Sequence, residues 1–183
     1  MNALQQITEL SHEFGTDQYV LGGGGNSSCK TEDTLWIKPS GTTLATITPE
    51  DFVALDRREL QRVFEAEVPA DATEREAAVK ELMLAAVRPE SAGKRPSVES
   101  PLHDLFDTAY VVHTHPVTVN GLTCSREGAS ACEKLFPDAL WVPYVDPGYT
   151  LSMVVRDAKR RYRAERGVDP SLVFIQNHGV FVD

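Results

Sequence analysis

Histidine is the residue type with the most chemistry to offer in this chain, and there are five. His113 and His115 flank a single threonine behind the apolar run Val111-Val112. In a strand, residues two apart point to the same face, so both imidazoles can reach one ion. A competing reading leaves them as two rings on a sheet face, hydrogen-bonded to neighbours. His178 follows a second apolar run, Leu172–Ile175, within Gln176-Asn177-His178-Gly179. The glycine after it marks a tight turn or a close backbone approach. Sheet strands bring such ends together. Three neutral imidazoles leave one position open, which is the layout of a catalytic zinc site rather than a structural one. Glu99 stands four residues before His103, across Ser100-Pro101. Placed before a helix begins, its carboxylate can point into a cleft as a fourth ligand or a general base. Taken alone, its simpler reading is a helix N-terminal carboxylate favoured by the dipole. His103 supports the ligands or belongs to the core, and His12 is read as a solvated surface residue without a partner.

A second set of residues could hold an anion. Gly22-Gly23-Gly24-Gly25 followed by Asn26 and Ser27 offers backbone N–H groups and polar side chains. Glycines admit positive φ, so successive N–H groups can form a concave nest. The run matches neither the Walker pattern nor the dinucleotide fingerprint in its βα context, and alone it is equally a flexible turn. Lys38-Pro39-Ser40-Gly41-Thr42 adds a cation, hydroxyls and another glycine, and Ser97 adds a donor close to Glu99. Three small-residue loops with these donors suit a phosphate monoester better than a dinucleotide.

Hydrophobic spacing supplies the elements that would position these groups. Leu4, Ile7, Leu10 and Phe14 predict a helix that stops at Gly15. Thr34–Lys38 reads as a strand, and Thr48-Pro49-Glu50-Asp51 as the N-cap of a short helix with Phe52 and Leu55 on its apolar side. Thr73-Glu74-Arg75-Glu76 reads as a capping box opening a helix to about Val87, with Ala77, Val79, Leu82, Met83 and Ala86 inward. Further helices are predicted from Ser100 through Phe106, over Val117–Leu122, over Glu127–Leu135 and over Thr150–Glu165. Strands are predicted at Ala109–Val112, Trp141–Tyr144, Leu172–Ile175 and Val180–Val182. Strands and helices intermix without regular alternation. That favours an α/β fold of three layers, α/β/α, with a mixed central sheet.

Composition bounds the partners. The chain has 183 residues, 18 basic and 27 acidic, for a net charge of −9. Residues 1–183 read as one domain. A groove tracking nucleic-acid phosphates is not expected on so acidic a surface. Hydrophobic residues at 42% exclude disorder of the whole chain. No apolar run approaches the roughly 18 residues of a membrane span. The N-terminal residues lack a secretory pattern. The three cysteines, Cys29, Cys124 and Cys132, form no CxxC pair and are read as reduced thiols of a cytoplasmic protein. The sequence stops at Asp183 inside an expected strand, so the full protein is expected to continue.

In this order, the motifs resemble those of the class II aldolase/adducin head family. Gly25-Asn26-Ser27 resembles its glycine-asparagine-serine loop, and Lys38-Pro39-Ser40-Gly41 its lysine-proline turn. Glu99 with His103, Val111-Val112-His113-Thr114-His115, and His178-Gly179 resemble its remaining motifs. The agreement runs over essentially the whole chain. The resemblance implies a zinc-dependent lyase of the fuculose- or rhamnulose-phosphate aldolase kind, cleaving a ketose 1-phosphate to dihydroxyacetone phosphate and an aldehyde such as lactaldehyde. It implies one zinc per subunit on His113, His115 and His178, with Glu99 moving the proton. It places the phosphate in the loops of Gly25, Asn26, Ser27, Lys38, Ser40, Gly41 and Ser97, and implies a homotetramer. Other members are sugar-phosphate epimerases, dehydratases or decarboxylases, and adducin heads are non-enzymatic. The familiar aldolases carry a tyrosine after the HxH helix, and Asn120–Asp138 contains none. The early stop also resembles the aldolase half of longer proteins in which a short-chain dehydrogenase follows.

Overall fold

A computed structural model describes residues 2–183. Seven strands form one sheet: β1 (Asn26–Lys30), β2 (Thr34–Ile37), β3 (Val53–Asp56), β4 (Tyr110–Thr114), β5 (Leu140–Val142), β6 (Leu172–Ile175) and β7 (Gly179–Val182). Their order across the sheet is β3-β2-β1-β4-β7-β6-β5. Only β5 and β6 run parallel; every other neighbouring pair is antiparallel. The sheet is therefore mixed, as expected. Helices α1 (Ala3–Phe14), α5 (Val117–Thr123) and α6 (Gly128–Leu135) lie on one face. Helices α2 (Arg57–Gln61), α3 (Ala72–Ala85), α4 (Ser100–Asp104) and α7 (Tyr149–Arg166) cover the other.

Alternation along the strands sorts the side chains between these faces. On β4, Val111 packs with Leu102, Phe106, Leu151 and Phe181, whereas Tyr110 and Val112 pack with Ile7 and Cys29 beyond the opposite face. Burial of each large apolar side chain such as Phe106 or Phe181 contributes about 1.5–3 kcal/mol relative to exposure. Helix α7 carries Leu151 and Val155 inward and ends at Gly167 in the left-handed region, with Arg163 and Arg166 in its last turn. That basic end suits the helix dipole.

Several expectations are corrected. Asn26-Ser27-Ser28-Cys29-Lys30 is a fully buried strand in the sheet interior, although its residues are mostly polar. It is stable there because its polar groups find partners: Ser27 Oγ meets Ser11 Oγ at 2.6 Å, Ser28 Oγ meets His103 Nδ1 at 2.7 Å, and Lys30 Nζ donates to the His103 carbonyl at 2.8 Å. Thr48–Asp51 is a turn, closed by Asp51 accepting from the Thr48 N–H and hydroxyl. No helix follows it, because Val53–Asp56 pairs with β2 and buries Val53 and Leu55. Helix α3 is capped by Asp71, which accepts from the N–H groups of Thr73 and Glu74. Ala77 is exposed on it, while Val79 and Met83 face the core. His12 is exposed, yet its Nε2 meets the Ile47 carbonyl at 2.7 Å.

Candidate metal centre

Strand register brings the first two pieces of the site together. Asn26 on β1 pairs with His113 on β4, and His113 pairs with Phe181 on β7. These three side chains therefore stand in a row across the sheet, on the face covered by α4. His115 lies one residue beyond the end of β4, and its N–H donates to the Tyr19 carbonyl at 2.8 Å. The Nε2 atoms of His113 and His115 face each other at 2.8 Å. His178 arrives from the tight connection between β6 and β7, where Asn177 takes a left-handed φ of 56°. One ligand nitrogen from each of His113, His115 and His178 lies within 4.8 Å of the others.

Two glycines make this convergence possible. A Cβ on Gly179 would fall 2.6 Å from the His115 ring and 3.2 Å from the His113 ring. Gly25 has φ +65°, and a Cβ there would meet the His113 carbonyl at 2.7 Å. At both positions a side chain would push the histidines away from their meeting point. His113 Nδ1 donates to the Val180 carbonyl at 2.9 Å, which leaves Nε2 as a bare lone pair. Its ring also stacks on Phe181, with centroids 4.0 Å apart.

Burial keeps the rings neutral. It pulls the His113 pKa down to about 3, helped by the neighbouring His115 and opposed by the bond to Val180. It pulls His178 down to about 4, with His113 adding to the shift and Glu99 opposing it. His115 is also lowered by burial, against the pull of Glu99. Neutral imidazole is the form that ligates a metal.

Glu99 adjoins the cluster. Its Oε2 lies 3.7 Å from His113 Nε2, and its Oε1 lies 3.5 Å from His178 Nε2. It occupies the N-cap position of α4 but makes no side-chain capping bond. The dipole reading therefore does not account for its orientation. Instead Oε2 accepts from the Asn26 amide at 2.5 Å, and Ser97 Oγ accepts both from Asn26 at 3.3 Å and from the Glu99 N–H at 3.2 Å. Glu99 Oε1 and His178 Nδ1 are buried and have no hydrogen-bond partner among the described residues. Convergent imidazoles, a carboxylate beside them and orphaned polar atoms fit a divalent cation of the zinc type.

The loop residues are brought only partly to this place. Lys38 is buried, and its Nζ donates to the carbonyls of Thr42 at 2.7 Å and Gly23 at 3.3 Å, so it ties two loops together. Burial lowers its pKa while Glu99 draws it back up. Ser40 Oγ donates to the Pro96 carbonyl at 3.1 Å, which joins the 39–42 turn to the loop before Glu99. Gly41 sits exposed in that turn with φ +88°. Ser27 is not brought in: its hydroxyl meets Ser11 of α1 beyond the opposite face of the sheet. Ser28 and the Val180 carbonyl, by contrast, support the site. Ser28 is two residues from Asn26 on the same strand face, a relation visible only once β1 is recognised as a strand.

Comparison with known proteins places the chain in a family. The family model described as Class II Aldolase and Adducin N-terminal domain matches residues 5–182. An uncharacterized oxidoreductase, YuxG, from Bacillus subtilis (strain 168) is 30% identical over 97% of this chain, and the chain spans 26% of that relative's length. The N-terminal class II aldolase domain of a conserved protein from Thermoplasma acidophilum has a similar structure. Its TM-score is 0.81 at 22% identity, over 99% of this chain and 83% of that one. An L-fuculose-1-phosphate aldolase from Thermus thermophilus aligns with TM-score 0.55 at 17% identity, over 98% of this chain and 78% of that one. The three-layer mixed-sheet fold, the ordered motifs and the family match over nearly the full length make this chain a member of the class II aldolase and adducin N-terminal domain family.

Proposed function

We propose that this protein is a zinc-dependent aldolase that cleaves a ketose 1-phosphate to dihydroxyacetone phosphate and a short aldehyde. The observation that carries the reading is the meeting of three neutral imidazoles with one unsatisfied carboxylate oxygen, that of Glu99. His113, His115 and His178 would hold the dication, which when bound supplies Lewis-acid polarisation of a substrate carbonyl. Glu99 moves the proton at the carbon next to that carbonyl, with Oε1 as the free oxygen. The Asn26 amide and the hydroxyl of Ser97 hold Glu99 from the other side. The phosphate is assigned to the edge of the site, where Gly25, Ser40, Gly41 and Ser97 lie on loops tied together by Lys38 and Ser40. Zinc, a homotetrameric assembly and a cytoplasmic location go with this reading.

The test is a screen of ketose 1-phosphates with metal-replete protein, coupled to detection of dihydroxyacetone phosphate, beside elemental analysis of the purified protein. Cleavage with one zinc per chain is expected. Glu99→Gln should keep the metal and lose about 10²–10³ in rate, the range for one stabiliser of developing charge or one general base. A product of unchanged mass would make the protein an epimerase instead, and loss of water a dehydratase. Absence of metal, with no effect of Glu99→Gln, would leave a non-catalytic domain.

A further inference from the structure

The orientation of Glu99 is set by a chain of hydrogen bonds whose direction can be derived. An ionised carboxylate only accepts, so the Asn26 atom 2.5 Å from Glu99 Oε2 is the amide nitrogen. The amide oxygen then faces His103 Nε2 and accepts from it. Nε2 therefore carries the ring proton of neutral His103, and Nδ1 is left to accept from the Ser28 hydroxyl at 2.7 Å. The donors run one way: Ser28 to His103, His103 to Asn26, Asn26 to Glu99. If the amide turned over, its oxygen would face the carboxylate and its NH2 would face the imidazole N–H, two repulsive contacts at once.

The chain is buried throughout. Ser28 and His103 are fully covered, Asn26 is 5% exposed and Glu99 9%. His103 itself cannot turn freely. Its carbonyl accepts from buried Lys30, and its ring meets Phe181 edge-on at 5.4 Å. The next residue, Asp104, accepts from Arg57 at 2.5 Å and also from Gln61. The far end of the chain is asymmetric. Glu99 Oε2 is held by Asn26, whereas Oε1 has no partner among the described residues and lies 3.5 Å from His178 Nε2.

We propose that His103 is a positioning residue for proton transfer: through Asn26 it anchors Glu99 Oε2 and leaves Oε1 as the oxygen presented to the substrate. This rests on the assignment of Glu99 as the proton carrier and adds a division of labour between its two oxygens. A buried polar chain whose links from Ser28 to Glu99 Oε2 are all made resists rotation, because each turned group would leave its neighbour unpaired.

The experiment has a readout that needs no turnover. In ¹⁵N-labelled, metal-free protein the two Asn26 side-chain amide protons should be widely split and protected from exchange. His103→Phe should collapse that splitting, and His103→Gln, whose amide can donate to Asn26 Oδ1, should restore most of it. In metal-replete protein His103→Phe should lower kcat by about 10–100-fold, the range for residues that orient a metal site from behind, with KM and metal content little changed. The same substitution made on top of Asn26→Ala should cost nothing further, since residues acting through one another are not additive. Asn26→Asp, which can still accept from His103 but cannot donate to Glu99, should match the kcat loss of His103→Phe and guards against a folding defect in the latter. An unchanged amide spectrum in His103→Phe, a full kcat loss in the Asn26→Ala background, or wild-type kcat in Asn26→Asp would each overturn the proposal. If the wild-type protein cleaves no ketose phosphate, the aldolase reading fails, and the amide spectrum still decides what holds Glu99.

Discussion

The histidine side of the site and the loop side are built on opposite principles. On the histidine side, strand ends and the tight β6–β7 connection bring ring nitrogens together with their lone pairs left bare. His113 gives one nitrogen to Val180 and keeps the other bare. On the loop side, the polar groups are largely spent on their own backbone. Lys38 is consumed by two carbonyls and Ser40 by a third. A dication binds best where geometry is fixed in advance. Loops laced to one another can instead admit a ligand by exchanging internal hydrogen bonds for external ones. The contrast teaches that the half proposed to hold the metal is preorganised by the sheet, and that the half proposed to hold the substrate is cross-linked but not committed.

The largest expected effect comes from the preorganised half. His113→Ala should abolish stoichiometric metal and reduce cleavage to background, measured by elemental analysis and the coupled assay. The protein should remain folded. Gly179→Ala should come next. Its new methyl would intrude on both His113 and His115. A cost of about 1–3 kcal/mol in denaturant unfolding is expected from such overpacking, together with weaker metal binding by titration. If Gly179→Ala binds metal like the wild type, the sheet does not set the geometry as tightly as argued.

Lys38→Met tests the loop half. It keeps the aliphatic stem and removes the ammonium that joins Gly23 to Thr42. It should raise KM for a phosphorylated substrate and cost about 1–3 kcal/mol for the carbonyls left without a donor, while the metal content stays at the wild-type value. A fall in metal content would show that the two halves are not separable. The last test is read on the metal-free protein alone and is the effect of pH. In the folded state His113 titrates at about 3 and His178 at about 4, both below the ordinary 6.5. Between those values the unfolded chain binds more protons than the folded one, so stability is fully present above about pH 6.5 and is lost as the pH falls toward 3. Urea midpoints measured at successive pH values should show this decline, and metal should suppress it.

Much of the preorganised half was legible in the sequence. Val111-Val112 and Leu172–Ile175 are apolar strands whose ends carry histidines, and period-two alternation alone places His113 and His115 on one side. The helices with clear periodicity, α1 and α7, lie within two residues of their expected bounds. The β1 strand was not legible. Asn-Ser-Ser-Cys-Lys has the composition of a loop, and it is held in the sheet by partners distant in the chain, such as His103 and Ser11. Local propensity is silent about such partners. The helix signal at Thr48-Pro49 failed for the converse reason: a good cap was overridden by pairing of Val53–Asp56 with β2. The Asn26 amide bonds to Glu99, a contact that sequence spacing did not indicate, because a buried carboxylate needs a donor.

The row formed by Asn26, His113 and Phe181 also governs how this molecule can change length. Side chains alternate from face to face along a strand, so a single inserted or deleted residue inside β1, β4 or β7 would exchange the two faces beyond that point. The imidazole would then lie under α1, and an apolar neighbour would stand where it had been. Turns away from the β6–β7 connection that carries His178 can lengthen, but a frame of two is imposed wherever the backbone crosses the centre of the sheet.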